Sequence, residues 1–315
     1  MSAWSPEGAV WDALRGPLVA RATAIVADLR IADALASGPR PVDELANEHG
    51  VDTETLRRIL RALASDGIFT EIRPGVFANT AASEILRGDG WRDFAHLFGE
   101  TWLPAIGALD ASGAPTFPRV HGIGFWPWLA ANPTERATFD RAMEQGAGVR
   151  LERLESVGWE DETVVDVGGG NGSLLLALLD RHPQMRGIVF DLPETVRDET
   201  TFGDRCEFVA GSFFERVPTG DAYLLSTILH DWDDDSAVRI LQTISAAARP
   251  RTRLVLLEGT LQEGNEPDGA KWLDLLMLAL FGGRERDEAQ WRALLDAGGF
   301  DVVQMSDGAI EARCR

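Results

Sequence analysis

The sequence predicts an α/β protein, with a helical first half followed by a doubly wound parallel sheet. After Asp161, short apolar runs (TVVDVGG, RGIVFDL, CEFVAG, DAYLLST, RLVLLEG) alternate with helical stretches such as SLLLALLDRH and DSAVRILQTISAAA. That order makes parallel strands joined by right-handed crossovers. From Leu14 to about Arg87 the apolar residues instead recur at helical spacing in short segments. Between the first apolar run and its following helix stand Gly168, Gly169, Gly170, Asn171 and Gly172, a turn of the kind at which such sheets bind ligands. These patterns divide the chain into 1–100, 101–160 and 161–315.

In the first part, VDELANEHGVDTETLRRILRALASDGIF followed by TEIRPGVFAN reads as three short helices and a hairpin, the order of a winged helix-turn-helix. Asp43 is placed to cap one helix, and Asp52 or Thr53 another, with Gly67 after the last turn. Arg57, Arg58 and Arg61 lie on the would-be recognition helix, but acidic residues outnumber basic ones over the first hundred positions. A packing or dimerisation role is therefore expected, and no nucleic-acid partner. The stretch Leu18 to Leu35, with Ala20, Ala22, Ala24 and Ala27, suits close packing of helices in a homodimer. The middle part is rich in Trp, Pro and Gly, and a helix from about Pro133 to Gln145 sets Phe139 and Met143 four apart on one face.

The bulk composition narrows the function. With 315 residues and 45% hydrophobic content the chain can bury ordinary cores. A net charge of -20 opposes phosphate binding. Cys206 and Cys314 are the two cysteines and form no CxxC, so neither a disulfide framework nor a zinc site is expected, and a cytoplasmic setting fits. No run is long enough to cross a bilayer, and MSAWSPEGAVWDALRG lacks the apolar stretch of an export signal. The run Asp233, Asp234, Asp235 invites a metal, but it reads better as a helix N-terminus favoured by the dipole, and no metal is expected.

The glycine turn implies close approach of backbone to a ligand. Asp191 ends the next strand, 21 residues after Gly170, where a carboxylate can accept both ribose hydroxyls. The glycines at 168, 170 and 172 give GxGxG, and Ser173 takes the place of the last Gly of a dinucleotide fingerprint. That shifts the expectation from a nicotinamide to an adenosyl cofactor.

The ordered blocks VVDVGGGNG, VFDLPETV, VAGSFFERVPTGDAYLLSTILHDWDDDSAVRIL, LLEGTL and LDLLMLALFGGRER resemble the small-molecule O-methyltransferases of bacterial polyketide tailoring and of plant caffeate-type metabolism, from about Leu14 to Ala312. The resemblance implies a Rossmann-like methyltransferase domain behind an N-terminal winged-helix dimerisation domain. It also implies S-adenosyl-L-methionine as cofactor, a homodimer, and a role in secondary-metabolite or antibiotic biosynthesis. It places Gly168 and Gly170 along the methionine part of the cofactor, Asp191 at the ribose, and Ser212 and Phe213 at the adenine, with Gly169, Leu192 and Ser226 also in the cofactor site. Around the acceptor it sets Trp126, Phe139, Met143, Asp274, Met277 and Phe281, an apolar aromatic pocket suited to a planar substrate.

His230, in LHDW after the strand DAYLLST, is the expected general base. A free imidazole titrates near ~6.5 and a phenol near ~10, so a neutral histidine can take the proton as the methyl moves. The resemblance places Glu258 and Glu285 beside it, to accept the other imidazole N–H and stabilise the imidazolium. Asp231 could serve instead, or cap the following helix. The sequence leaves open N-methylation and a non-methylating reaction on the same cofactor, and a ligand-sensing DNA-binding regulator is the reading from another class.

Overall fold

A computed structural model of the chain describes residues 5–193, 195–196, 203–306 and 308–315. The chain forms two compact units, one made of the residues up to Gly107 with Asn132–Gln145, the other of Ala108–Ala131 with Gly146–Arg315. The stretch 101–160, expected as a helical linker between residues 100 and 160, is shared between the two units. The helix Pro133–Met143 packs on the helix Asp89–His96 in the first unit, tied there by a two-pronged bond from Arg141 to Asp93 at 2.7 and 3.0 Å. The helix Ala147–Val157 packs on the helix Ser173–Arg181 in the second.

In the first unit, helices Val42–His49 and Thr53–Ser65 precede strands β2 (Phe69–Arg73) and β3 (Val76–Asn79), and β3 also pairs with the short β1 (Arg40–Pro41). Asp52 caps Thr53–Ser65 by accepting the Thr55 N–H at 2.8 Å. Leu56, Leu60 and Leu63, at helical spacing, bury against Phe69 and Phe77. Asp43 is not a cap: Val42 already begins the helix behind Pro41, which leaves Asp43 in the first turn. Ala20 and Ala24, expected at a dimer seam, are occupied within the chain, since a Cβ on Gly99 would collide with both.

The second unit is built on a seven-stranded sheet. Its strands are β4 (Thr163–Val167), β5 (Arg186–Asp191), β6 (Cys206–Ala210), β7 (Ala222–Ser226), β8 (Arg253–Leu257), β9 (Phe300–Ser306) and β10 (Ala309–Cys314). They lie in the order β6-β5-β4-β7-β8-β10-β9. The first five run parallel, and β10 pairs antiparallel with both β8 and β9. Apolar side chains on both faces explain the unbroken hydrophobic runs of β4, β7 and β8. The strand order reverses beside β4, and the carboxyl ends of β4, β5 and β7 meet at that point, where sheets of this kind bind ligands.

Candidate active site

The glycine turn leaves the carboxyl end of β4 with φ of 75° at Gly168, 61° at Gly170 and 80° at Gly172, a left-handed backbone that glycine alone adopts cheaply. A Cβ on Gly170 would meet no atom within 4 Å, so the loop surface there is open to a ligand. Gly169 answers to a different need, because a Cβ would lie 2.7 Å from Asp166 Oδ2 beneath it. Asp166, which sequence reasoning passed over, is driven up to about 7 by burial and then by Asp191, against the pull of Arg150. Asp191 Oδ2 accepts the Gly170 N–H at 2.8 Å, and its Oδ1 accepts the Leu192 N–H at 2.6 Å. The carboxylate is thus fixed at the end of β5.

Ser226 ends β7 with a buried Oγ that has no partner among the described residues. Such an orphaned hydroxyl beside an open glycine loop and a fixed carboxylate suits the polar ribose and amino-acid ends of S-adenosylmethionine. Phe213 packs edge-on against Phe214 (5.0 Å) and Trp232 (5.9 Å), while Ser212 Oγ accepts the Phe214 N–H at 3.3 Å. The ring is therefore held at the border of the core.

His230 sits on a short 3-10 turn, Leu229–Asp231, that follows β7 through Thr227, a non-glycine residue at φ 54°. That strain, of order 1–2 kcal/mol, persists because the surroundings over-determine the turn. Glu258 Oε1 accepts the N–H groups of Ile228 and Leu229 at 2.9 and 2.8 Å. The loop of Gly282–Arg286 closes over it: the Arg284 N–H donates to His230 O at 2.8 Å, and a Cβ on Gly283 would run into the backbone of His230 and Asp231. Glu285 Oε1 lies 2.7 Å from His230 Nδ1.

The two expected acidic partners therefore divide their work. Glu285 holds the ring, whereas Glu258 holds the backbone before it and makes no hydrogen bond to the imidazole. Asp231 is buried and no helix cap; Asp233 caps the next helix, by accepting the Ser236 N–H at 2.8 Å. Asp231 Oδ1 stands 3.5 Å from His230 Nε2, beyond good hydrogen-bond length, which leaves Nε2 for another partner.

Burial alone would favour a neutral His230. Asp231, with Glu285 and Glu258, outweighs it and pushes the imidazole up to about 10. Burial raises Asp231 to about 7 and Glu258 as well, each partly offset by His230. The expectation of an unprotonated imidazole at neutral pH is thus corrected: three carboxyl groups surround one ring and favour imidazolium.

Of the residues expected at the acceptor, Trp126 and Phe281 stack at 5.4 Å beside Phe125 in the second unit. Met277 is buried in the helix Gly269–Leu280. Asp274, on the same helix, accepts the Glu285 N–H at 2.8 Å, so it supports the acid that holds the histidine. Phe139 and Met143 belong to the first unit. Among the described residues no group of three or more His, Cys, Asp or Glu could hold a metal, and no helix is long and apolar enough to cross a membrane.

Comparison with known proteins matches residues 106–301 to the O-methyltransferase domain and residues 11–89 to the O-methyltransferase dimerisation domain. A phenazine O-methyltransferase from Lysobacter antibioticus is 36% identical over 95% of this chain and 94% of its own length. The structure of a mitomycin 7-O-methyltransferase superposes with a TM-score of 0.89 at 33% identity, covering 98% of each chain. That of an O-methyltransferase from neocarzinostatin biosynthesis, bound to S-adenosyl-L-homocysteine and 1,4-dihydroxy-2-naphthoic acid, gives 0.81 at 32% identity over 94% of this chain and 95% of that one.

Proposed function

Because the chain belongs to the S-adenosylmethionine-dependent O-methyltransferase family, we propose that it methylates an aromatic hydroxyl of a small secondary metabolite, with His230 as the group that manages the acceptor's proton. The observation that carries this reading is the His230 Nδ1 to Glu285 pair at 2.7 Å, which leaves Nε2 for an acceptor oxygen. When bound, S-adenosylmethionine supplies an activated methyl group on a sulfonium. Gly168, Gly170, Asp191, Leu192 and Ser226 would hold it, with Ser212 and Phe213 at the adenine.

A phenol at Nε2 shares one proton with the ring, and imidazole with phenol or imidazolium with phenolate are two arrangements of that proton. Glu285 and Asp231 favour the second, which presents the acceptor as its stronger nucleophile. The stacked Trp126 and Phe281 offer a planar acceptor a matching wall. Relatives that act on a phenazine or were solved with a dihydroxynaphthoic acid support a fused aromatic substrate. Incubation with labelled S-adenosylmethionine and a panel of hydroxylated phenazines, naphthoates, simple phenols and aromatic amines should transfer label to the fused phenols. Transfer to amines alone, or to none of the panel, would sink the reading.

The same reading includes a homodimer working in the cytoplasm, in keeping with the two free thiols of Cys206 and Cys314. Val10, Trp11, Leu14 and Leu18 follow one another at helical spacing on the first two helices and stand 60%, 65%, 70% and 73% exposed. Large apolar side chains so exposed support an interface on these helices. Light scattering at micromolar concentration should give twice the chain mass for the wild type and a shift toward the monomer for the double variant Leu14→Glu, Leu18→Glu. A monomeric wild type would remove the dimer.

A further inference from the structure

We propose that Arg286 is a positioning residue, whose buried guanidinium fixes the turn Leu229–Asp231 and thereby sets the His230 ring on Glu285. The inference rests on the reading of His230 given above. Arg286 is 0% exposed. Its Nη1 donates to Leu229 O at 2.9 Å and its Nη2 to Trp232 O at 2.8 Å, so the two arms take the carbonyls on either side of His230 and Asp231. Nε donates to Asp234 Oδ1 at 2.9 Å, and the plane lies over Trp291 with its carbon 5.2 Å from the ring centroid.

A buried cation is costly unless it is paired and hydrogen-bonded. Here its one carboxylate, Asp234, is 55% exposed, and the remaining arms are committed to neutral carbonyls. An apolar side chain packed on Trp291 would spare the cost of burying the cation, at the loss of the donors to Leu229 O and Trp232 O. What an apolar side chain could not do is hold Leu229 O and Trp232 O at a fixed separation, and that separation sets where His230 points. The planar fork of arginine does this, and the single point charge of lysine does not. The Arg284 N–H on His230 O and the Asp274 carboxylate on the Glu285 N–H keep the two loops in the same register.

The test follows the histidine itself in the full-length protein. Nitrogen-15 NMR would titrate His230, identified by the signal lost in His230→Gln, in the wild type, Arg286→Lys and Arg286→Gln. The groups that face the ring are Asp231, Glu258 and Glu285. When the turn loosens, the ring drifts from them, and its titration should fall by about one pH unit or more toward ~6.5. The same variants should lose about 10²-fold in kcat, the scale of a misplacement near 1 Å, with S-adenosylmethionine affinity retained in calorimetry. Partial unfolding would scale the rate without moving the titration. Should both Arg286 variants fail to fold, Asp234→Ala decides, because it removes the acceptor of one arm of the fork from a half-exposed position. A wild-type titration and kcat in any folded variant would overturn the proposal. Because the NMR reading needs no turnover, a catalytically silent His230 would show separately, as normal rates in His230→Ala.

Discussion

Replacing His230 by alanine should lower kcat by about 10²–10⁴-fold, the range for a positioned proton-transfer group, while S-adenosylmethionine affinity stays near the wild-type value. The split follows from where the groups stand. His230 occupies the turn after β7 with Nε2 free of strong bonds, whereas the proposed cofactor contacts sit on the glycine turn after β4 and at Asp191. Alanine also leaves Glu285 Oε1 without its ring partner in a buried site, which could perturb the loop. His230→Gln separates the two effects, because an amide can still donate to Glu285 but cannot act as a base. Both variants should fall together in kcat and bind the cofactor alike by calorimetry. Near-wild-type turnover at neutral pH in either folded variant would leave proximity alone to explain the reaction and make His230 a packing residue.

Much of this site was readable before the fold was known, for reasons specific to its parts. The runs around Val165, Leu224 and Val255 are apolar at successive positions because helices cover both faces of the sheet, so the strands stand out from the amphipathic helices between them. Once these strands are placed, the glycine turn, Asp191, Ser226, His230 and Glu258 all fall at carboxyl ends or just beyond them. What sequence could not show is which polar residues the loops bury. Asp231 sits one residue from a run of three aspartates, yet it alone is buried beside His230, because the 3-10 turn directs it inward. Arg284 and Arg286 are two residues apart in GGRER; the first is half-exposed and the second fully buried, and arginine is rarely buried. The strands β9 and β10 also escaped notice, since β9 is an edge strand of mixed polarity with no continuous apolar run. The helix Pro133–Met143 returns to the first unit, where Arg141 meets Asp93, 48 residues away, and Glu135 meets Thr101, pairings that no local pattern encodes.

The pH profile separates the buried cluster from an ordinary histidine with the largest span of rates. With His230 held up to about 10, the free enzyme at pH 7 carries imidazolium, and a phenol titrating near ~10 arrives with its proton. The productive complex holds one proton fewer than these two partners together. Its population below both values therefore rises about tenfold for each pH unit, and kcat/KM should climb with a slope near +1 from pH 7 to about 9, bending over as pH approaches ~10. A histidine near ~6.5 would instead give a plateau across that range, since it would already be neutral. His230→Ala sharpens the comparison. Its rate must follow phenolate formed in solution, again with slope +1, so the two profiles should run parallel below about 10 and the deficit should stay constant. With an ordinary histidine the deficit would narrow steadily as pH rises. Glu285→Gln should bring the wild-type limb to lower pH, because it removes the charge on Nδ1 while Asp231 and Glu258 remain. A flat wild-type profile between pH 7 and 9 would mean that the three carboxyl groups do not hold the proton on His230, and that the ring meets its acceptor as a neutral base.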